Sequence, residues 1–454
     1  MLNDVYSGQH TSTSTTAVAA FERAVAGLGK HRPFGADLDA ALAHDPALVG
    51  AHALRGISQV LLASQQAVAL SRHLVKASRA ALEIAGGGTA GEQALVEAHE
   101  LAANGRLKAA AARLEQHLAN HPRDFLSAKL AHALRFMSGE PNRMLATTSA
   151  ILPHWSAGMA GYGHLLGCHA FGLEETGDLA SAERTGRAAV ACEPHDVWGL
   201  HAVAHVMEMR GETTAGTAWL EPTAALWTAC GSFGFHLAWH LALFRLAAGD
   251  NARALALYDA HLVPSPGADF RDVANAVSML WRLEQDGIDT GDRWDFLAAI
   301  AEQRRSDTTY VFGSLHYLIA LVASDDLAAA NDVVEALRCS ARSRDTDQAE
   351  VSARVGVRLA EVIIDMTRRG ASRADIAVLA RRLPELGGSN AQRDVFLRTL
   401  LLIAAGAGDV AAVSTLTDLR LQQRRVDRFH DLVSRRLRHS PALRKTTYAA
   451  GAAW

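Results

Sequence analysis

Apolar residues recur at every third or fourth position along most of the chain, the spacing of an amphipathic α-helix. Convincing runs of alternating β-branched residues, which would indicate strands, are not present. The helical stretches are separated by a glycine, usually followed by a polar or acidic residue that can cap the next helix. These breaks lie 34 to 45 residues apart, at Gly105, Gly139, Gly177, Gly211, Gly249, Gly287, Asp325, Gly370 and Gly408.

A spacing near 34 residues is typical of tetratricopeptide-type helix pairs. Around Gly177 the pattern predicts one helix over 157–176 and the next over 180–192. Because one pair cannot bury its apolar face alone, such pairs stack on one another. We therefore predict an all-α fold, a TPR-like superhelix of stacked antiparallel helix pairs. The prediction is a single domain over 1–454, with N-terminal pairs at 15–150, His/Trp-rich central pairs at 151–325 and C-terminal pairs at 326–446.

Composition narrows the class of protein. The chain has 454 residues, of which 49% are apolar, and a net charge of -3, which disfavours both disorder and binding to nucleic acid or an acidic membrane. The polar first 16 residues do not resemble a secretory signal, and no apolar run reaches the roughly 20 residues that span a bilayer. Four scattered cysteines are typical of a reducing compartment. We predict a cytoplasmic protein with no nucleic-acid or membrane partner.

The segment 417–445 is basic, with nine Lys/Arg against three Asp. Two interpretations are open, a solvated terminal helix or a site for an anionic partner.

Histidine is the unusual residue type. The chain has 21 histidines, and nine of them lie between positions 154 and 294 together with seven of the eight tryptophans. Two segments in this region carry one-turn spacings, which place side chains on one helix face. The first segment carries Trp198, His201, His205 and Glu208, and the second carries His236, Trp239 and His240.

Three interpretations of this pattern are open. The histidines could be packing residues with satisfied ring nitrogens. They could form a metal site, with His201, His205, His236 and His240 as the ligands of a divalent ion. The leading interpretation needs no cofactor. It is a polar pocket for a small molecule, in which His205 and His240 transfer protons and Glu208 orients an imidazole.

The leading interpretation favours an enzyme of unassigned reaction class. The rival from another class is a non-catalytic scaffold that binds a peptide or protein along its concave surface, and a homo-oligomer is compatible with either. Asp196 also suits the N-cap of a helix. The predicted pocket-lining residues are His201, His236, Trp198, Trp239, His164, His169, Glu175, Asp196, Asp272 and His316.

Three runs of the central region resemble the tetratricopeptide repeat protein 38 family, also called StaR-like. The runs are 170–175 (AFGLEE), 201–209 (HAVAHVMEM) and 235–244 (FHLAWHLALF). The resemblance extends over nearly the whole chain. It implies a TPR-like all-α superhelix and maps the family's motif residues onto Asp196, Trp198, His201, His205, Glu208, His236, Trp239 and His240. The chain departs from the family pattern at Glu212 and Asn275, which puts a charge-dependent role at those two positions in doubt.

Overall fold

The protein is all-α, as the apolar spacing predicts. The computed structural model describes residues 1–227, 229–365, 376–425 and 427–439. Among these residues the strands are limited to β1 (Leu2–Asn3) and β2 (Gln9–His10), an antiparallel pair in which Leu2 lies opposite His10.

The chain divides into two compact units. The first comprises Met1–Val206, Leu220–Leu237 and Asp345–Gln348, and the second comprises Met207–Trp219, Ala238–Arg344 and Ala349–Trp454. The single array over 1–454 stays a prediction.

The helices of the first unit precede most of those of the second in the sequence. In the first unit they are α1 (Thr15–Gly29), α2 (Gly35–His44), α3 (Val49–Leu61), α4 (Gln65–Ile84), α5 (Ala90–Ala103), α6 (Leu107–Leu118), α7 (Phe125–Met137), α8 (Pro141–Ile151), α9 (Tyr162–Glu175), α10 (Leu179–Cys192) and α13 (Ala224–Trp227). Four helices contribute residues to both units, α11 (Val197–Arg210), α12 (Thr213–Leu220), α14 (Ser232–Ala247) and α20 (Asp347–Val351). In the second unit they are α15 (Asn251–His261), α16 (Phe270–Gln285), α17 (Arg293–Gln303), α18 (Val311–Ala323), α19 (Leu327–Ser343), α21 (Val357–Asp365), α22 (Ile376–Arg382), α23 (Asn390–Ala407), α24 (Val410–Leu421) and α25 (Arg428–Arg438).

The predicted breaks are turns of one kind. Each described glycine among them has a positive φ, for example 94° at Gly177 and 84° at Gly287, and Asp325 takes the same conformation with a φ of 58°. The residue after the break donates its amide to the carbonyl five positions earlier, as Asp178 does to Leu173 over 2.9 Å. This is the hydrogen bond of a Schellman helix end. The predicted turns are therefore confirmed, except at Gly370, which lies outside the described residues.

Acidic residues after several breaks cap the next helix, as the sequence predicts. The Asp178 carboxylate accepts a hydrogen bond from the Ser181 amide, and Asp326 accepts one from the Ala329 amide, both over 3.0 Å. Such a cap satisfies one of the amides that a helix leaves unpaired at its start.

Helix α10 packs between α9 and α11 in the first unit. Gly186 allows this close approach, because a Cβ at this position would come within 2.7 Å of Val203 and within 3.6 Å of Ala170. The contact fixes α9 and α11, two of the helices that carry the site described below.

No helix in the described part of the chain is both long enough and apolar enough to cross a bilayer.

Candidate functional site

Helix α11 carries the predicted stripe. Trp198, His201, His205 and Glu208 are all buried, with exposed fractions of 8% or less. The first three belong to the first unit, and Glu208 belongs to the second.

Three imidazoles meet in the first unit. His201, His205 and His236 each offer a ring nitrogen, and these atoms all lie within 4.8 Å of one another. The Nε2 atoms of His201 and His236 are 3.0 Å apart. His201 also packs against His205 with a ring-centroid distance of 4.2 Å. His201 and His205 lie one turn apart on α11, and the neighbouring helix α14 supplies His236. We call these three residues the imidazole cluster.

Two carboxylates at the end of α9 lie beside this cluster. Glu174 and Glu175 are buried, with exposed fractions of 1% and 8%. Glu174 Oε2 lies 3.2 Å from His205 Nδ1, and oxygens of both carboxylates lie within 4.8 Å of a ring nitrogen of His205. The sequence prediction included Glu175 and left out Glu174, although the two are adjacent. The packing of α9 against α11, which the sequence does not specify, brings Glu174 to this distance from His205.

Aromatic rings cover the Trp198 side of the cluster. Trp198 packs against Phe171 and Phe233 with centroid distances of 4.9 and 5.3 Å, and the Lys129 ammonium lies 5.1 Å from its ring centroid. Lys129 is 5% exposed and also reaches His31 Nε2 at 3.2 Å. Lys129 is not among the residues predicted from the sequence. The feature that could have identified it is its position in α7, a helix with apolar residues around most of its circumference.

Cys168 lies 3.8 Å from the Lys129 ammonium through its sulfur. Burial raises the pKa of this thiol, and the nearby lysine only partly opposes that effect. The same cause, burial, raises the pKa of Cys230. Both cysteines are therefore poor nucleophiles at neutral pH.

Three other predicted residues of this unit bond elsewhere. His164 Nδ1 lies 3.1 Å from Asp196 Oδ1, and the second oxygen of Asp196 accepts the Gly199 amide, so Asp196 acts as a helix cap. His169 Nδ1 bonds the hydroxyl of Thr148 over 3.0 Å, away from the imidazole cluster.

The second unit contains a different imidazole–carboxylate pair. His240 Nδ1 lies 2.9 Å from Glu208 Oε2, and neither side chain is more than 5% exposed. The second oxygen of Glu208 lies 3.6 Å from Arg424, which also pairs with Asp394 at 3.0 Å. The carboxylate therefore orients the His240 ring and links it to Arg424, whose side chain is 10% exposed.

The remaining predicted residues of the second unit are spread over several helices. Trp239 is fully buried, with Arg282 5.5 Å from its ring centroid. Asp272 lies next to Arg271 on α16 and, together with Asp269, acts to raise the pKa of that arginine. His316 bonds the Phe312 carbonyl over 2.8 Å and packs against two phenylalanine rings, as a core histidine does.

The first part of the basic segment 417–445 takes part in an internal ion-pair network. Arg420 is 1% exposed and pairs with Asp394 and Asp427, each at 2.7 Å. Burial alone would raise the pKa of Asp394, but Arg420 and Arg424 hold it below its usual value. The arginines in the last turn of α25 are exposed, and residues 440–445 lie outside the described residues.

No protein-family model matches the sequence, and no solved structure matches the fold.

Proposed function

We propose that the imidazole cluster of the first unit binds one divalent transition-metal ion, with His201, His205 and His236 as ligands. The observation that carries the proposal is the convergence of three buried ring nitrogens within 4.8 Å. Imidazole is the ligand that zinc, iron and nickel share, so the donor set favours an ion of this class over calcium or magnesium.

The separation of the two Nε2 atoms supports this assignment. Two nitrogens that are each about 2.0–2.1 Å from one ion lie roughly 2.8–3.4 Å apart at angles between 90° and 110°. The observed value for His201 and His236 is 3.0 Å. Since the two rings come from different helices, this spacing is set by helix packing and not by the sequence interval alone.

Glu174 supplies the second element of a metal site. Its carboxylate lies 3.2 Å from His205 Nδ1. In the metal-bound site it would accept the proton of that nitrogen, which would leave the lone pair on Nε2 for the metal. A carboxylate behind a ligand imidazole fixes its tautomer and raises its basicity. The buried negative charge also offsets that of a divalent ion.

The proposed chemistry is Lewis-acid catalysis on a small molecule. Three histidine ligands leave room at an ion for water, whose pKa a divalent metal lowers towards neutrality. This proposal revises the leading interpretation of the sequence, in which the same histidines act without a metal. That interpretation has its own support, because a hydrogen bond between His201 and His236 also explains their 3.0 Å contact.

Metal analysis of the variants distinguishes metal binding from the metal-free interpretation. We expect about one equivalent of metal per chain in the untagged wild-type protein after reconstitution with zinc, cobalt(II) or iron(II). His201→Gln and His236→Gln should retain at most a tenth of that, and Glu174→Gln should weaken metal affinity by about 10- to 100-fold. The matched control is His195→Gln, whose exposed imidazole lies just before α11. A wild-type protein that binds no metal under these conditions overturns the proposal and leaves the metal-free interpretation.

Cellular context is part of the proposal. All four cysteines are free thiols, which supports a reducing, cytoplasmic location. We further propose membership of the tetratricopeptide repeat protein 38 family, supported by the three runs quoted above.

A further inference from the structure

The second unit contains a cavity of about 380 Å³. Its volume is about a dozen times that of one liquid water molecule, and it falls within the range of small-molecule pockets. The charged residues that line it are Glu208, Arg282, Asp286, Asp394, Arg398, Arg424, Arg425, Asp427, Arg428 and Asp431.

Nearly all the carboxylates of this lining are already paired. Glu208 contacts His240 and Arg424, and Asp286 contacts Arg398 at 2.6 Å. Asp394 and Asp427 share Arg420 and Arg424. The exception among the described lining residues is Asp431, which is exposed to solvent.

Three arginines of the lining have no such partner. Within the described part of the chain, no carboxylate oxygen lies within 4.0 Å of the guanidinium of Arg282, Arg425 or Arg428. The lining therefore has more unpaired positive than unpaired negative groups.

Of the three arginines, Arg282 gives the strongest evidence for a bound anion, because it is 2% exposed. Its guanidinium donates to the carbonyls of Ser278 and Ala391 and to the Ser278 hydroxyl, all of them neutral acceptors. Burial lowers the pKa of Arg282 to about 9, because a desolvated cation is costly, and the carboxylates of Asp394 and Glu208 oppose this effect only in part. An anion in the cavity would offset the remaining cost.

The apolar part of the lining suits the organic part of a ligand. Leu243, Phe244 and Leu246 on α14 face the cavity together with Phe429 on α25. All four are 6% exposed or less. Such a wall excludes water and favours an aromatic or aliphatic group over a bare inorganic ion.

We propose that this cavity binds a small organic oxyanion, with Arg282 as the principal recognition group and with Arg425 and Arg428 as additional donors. An oxyanion group accepts charge-assisted hydrogen bonds from guanidinium groups, and the apolar wall takes its organic substituent. The proposal concerns the second unit alone and goes beyond metal binding.

Calorimetric titration of the full-length protein tests this proposal. The probes are phenyl phosphate and benzoate, with inorganic phosphate and benzyl alcohol as the probes that lack one of the two recognised features. We expect one-to-one binding of phenyl phosphate or benzoate, stronger than that of either control probe. Arg282→Gln should weaken it by about 10- to 100-fold. The matched control, Arg253→Gln, changes an exposed arginine outside the cavity and should bind as the wild type does.

A second variant covers the case in which Arg282→Gln does not fold. The double variant Arg425→Gln/Arg428→Gln changes two exposed side chains and should weaken phenyl phosphate binding by about tenfold, with a smaller dependence on salt. No binding of either organic anion by the folded wild-type protein would overturn the proposal, as would affinities unchanged in both cavity variants. Because none of these residues belongs to the imidazole cluster, metal content should be the same in all variants.

Discussion

At the scale of single residues, buried histidines differ in what their ring nitrogens contact. His99 on α5 is bonded by the hydroxyls of Ser71 and Ser78 at 3.1 and 2.9 Å. His132 on α7 is 4% exposed, and within the described structure neither of its ring nitrogens has a hydrogen-bond partner. The same residue type therefore stabilises one site and carries a desolvation cost at the other.

We expect His132→Leu to raise the free energy of unfolding by about 1 kcal/mol, because it removes an unsatisfied polar group from the interior. His99→Leu is the matched change and should lower the free energy of unfolding by about 1–3 kcal/mol, since two serine hydroxyls lose their partner. Urea titrations at pH 7.5 measure both. A loss of stability in His132→Leu equal to that in His99→Leu would show that His132 has a partner that the structure does not contain.

At the scale of elements, the repeated helix end depends on a backbone conformation that favours glycine. Asp325 adopts that conformation with a side chain, which costs a non-glycine residue about 1–2 kcal/mol. The left-handed turns at Gly158 and Gly161 also explain why α9 begins at Tyr162, five residues after the helix start predicted at 157. The sequence signals a break by its glycines, but the apolar spacing continues across them.

Exchanging the two residue types at equivalent turns tests this account. Asp325→Gly should raise the free energy of unfolding by about 0.5–1 kcal/mol, and Gly287→Asp should lower it by about 1 kcal/mol. A Cβ at Gly287 has no heavy atom within 4 Å, so the expected loss reflects backbone strain and not a clash. Equal effects of the same sign in the two variants, measured by urea unfolding, would contradict a shared turn.

At the scale of the whole molecule, buried neutral histidines set the dependence of stability on pH. Burial is the main cause that lowers the pKa of His99 and His316 to about 4 and that of His132 to about 3, from 6.5 in the unfolded chain. Below pH 6.5 the unfolded state binds more protons than the folded state. Stability is therefore greatest above pH 6.5 and falls as the pH decreases towards 4.

Between pH 7 and pH 5 we expect each of these three histidines to lower the free energy of unfolding by about 1–2 kcal/mol. Urea midpoints at the two pH values measure the sum, and His132→Leu should show a smaller decrease than the wild type. Midpoints that are unchanged, or that rise, between pH 7 and pH 5 would contradict this account.

The sequence could predict the all-α fold and the repeated turns, because apolar spacing and glycine position are local properties. It also predicted that His201 and His205 share a helix face. It could not predict that Glu174 lies 3.2 Å from His205, nor that Arg420 pairs with Asp394. Those contacts depend on how helices distant in sequence pack against each other.

The most direct test of the central claim is an anomalous difference map from crystals of the full chain reconstituted with zinc or cobalt(II), recorded at the absorption edge of the metal. The account predicts one strong peak about 2.1 Å from the ligating ring nitrogens of His201, His205 and His236. It predicts that this peak is lost in His236→Gln. A map with no peak at the imidazole cluster would contradict it, whether or not the added metal occupies another site.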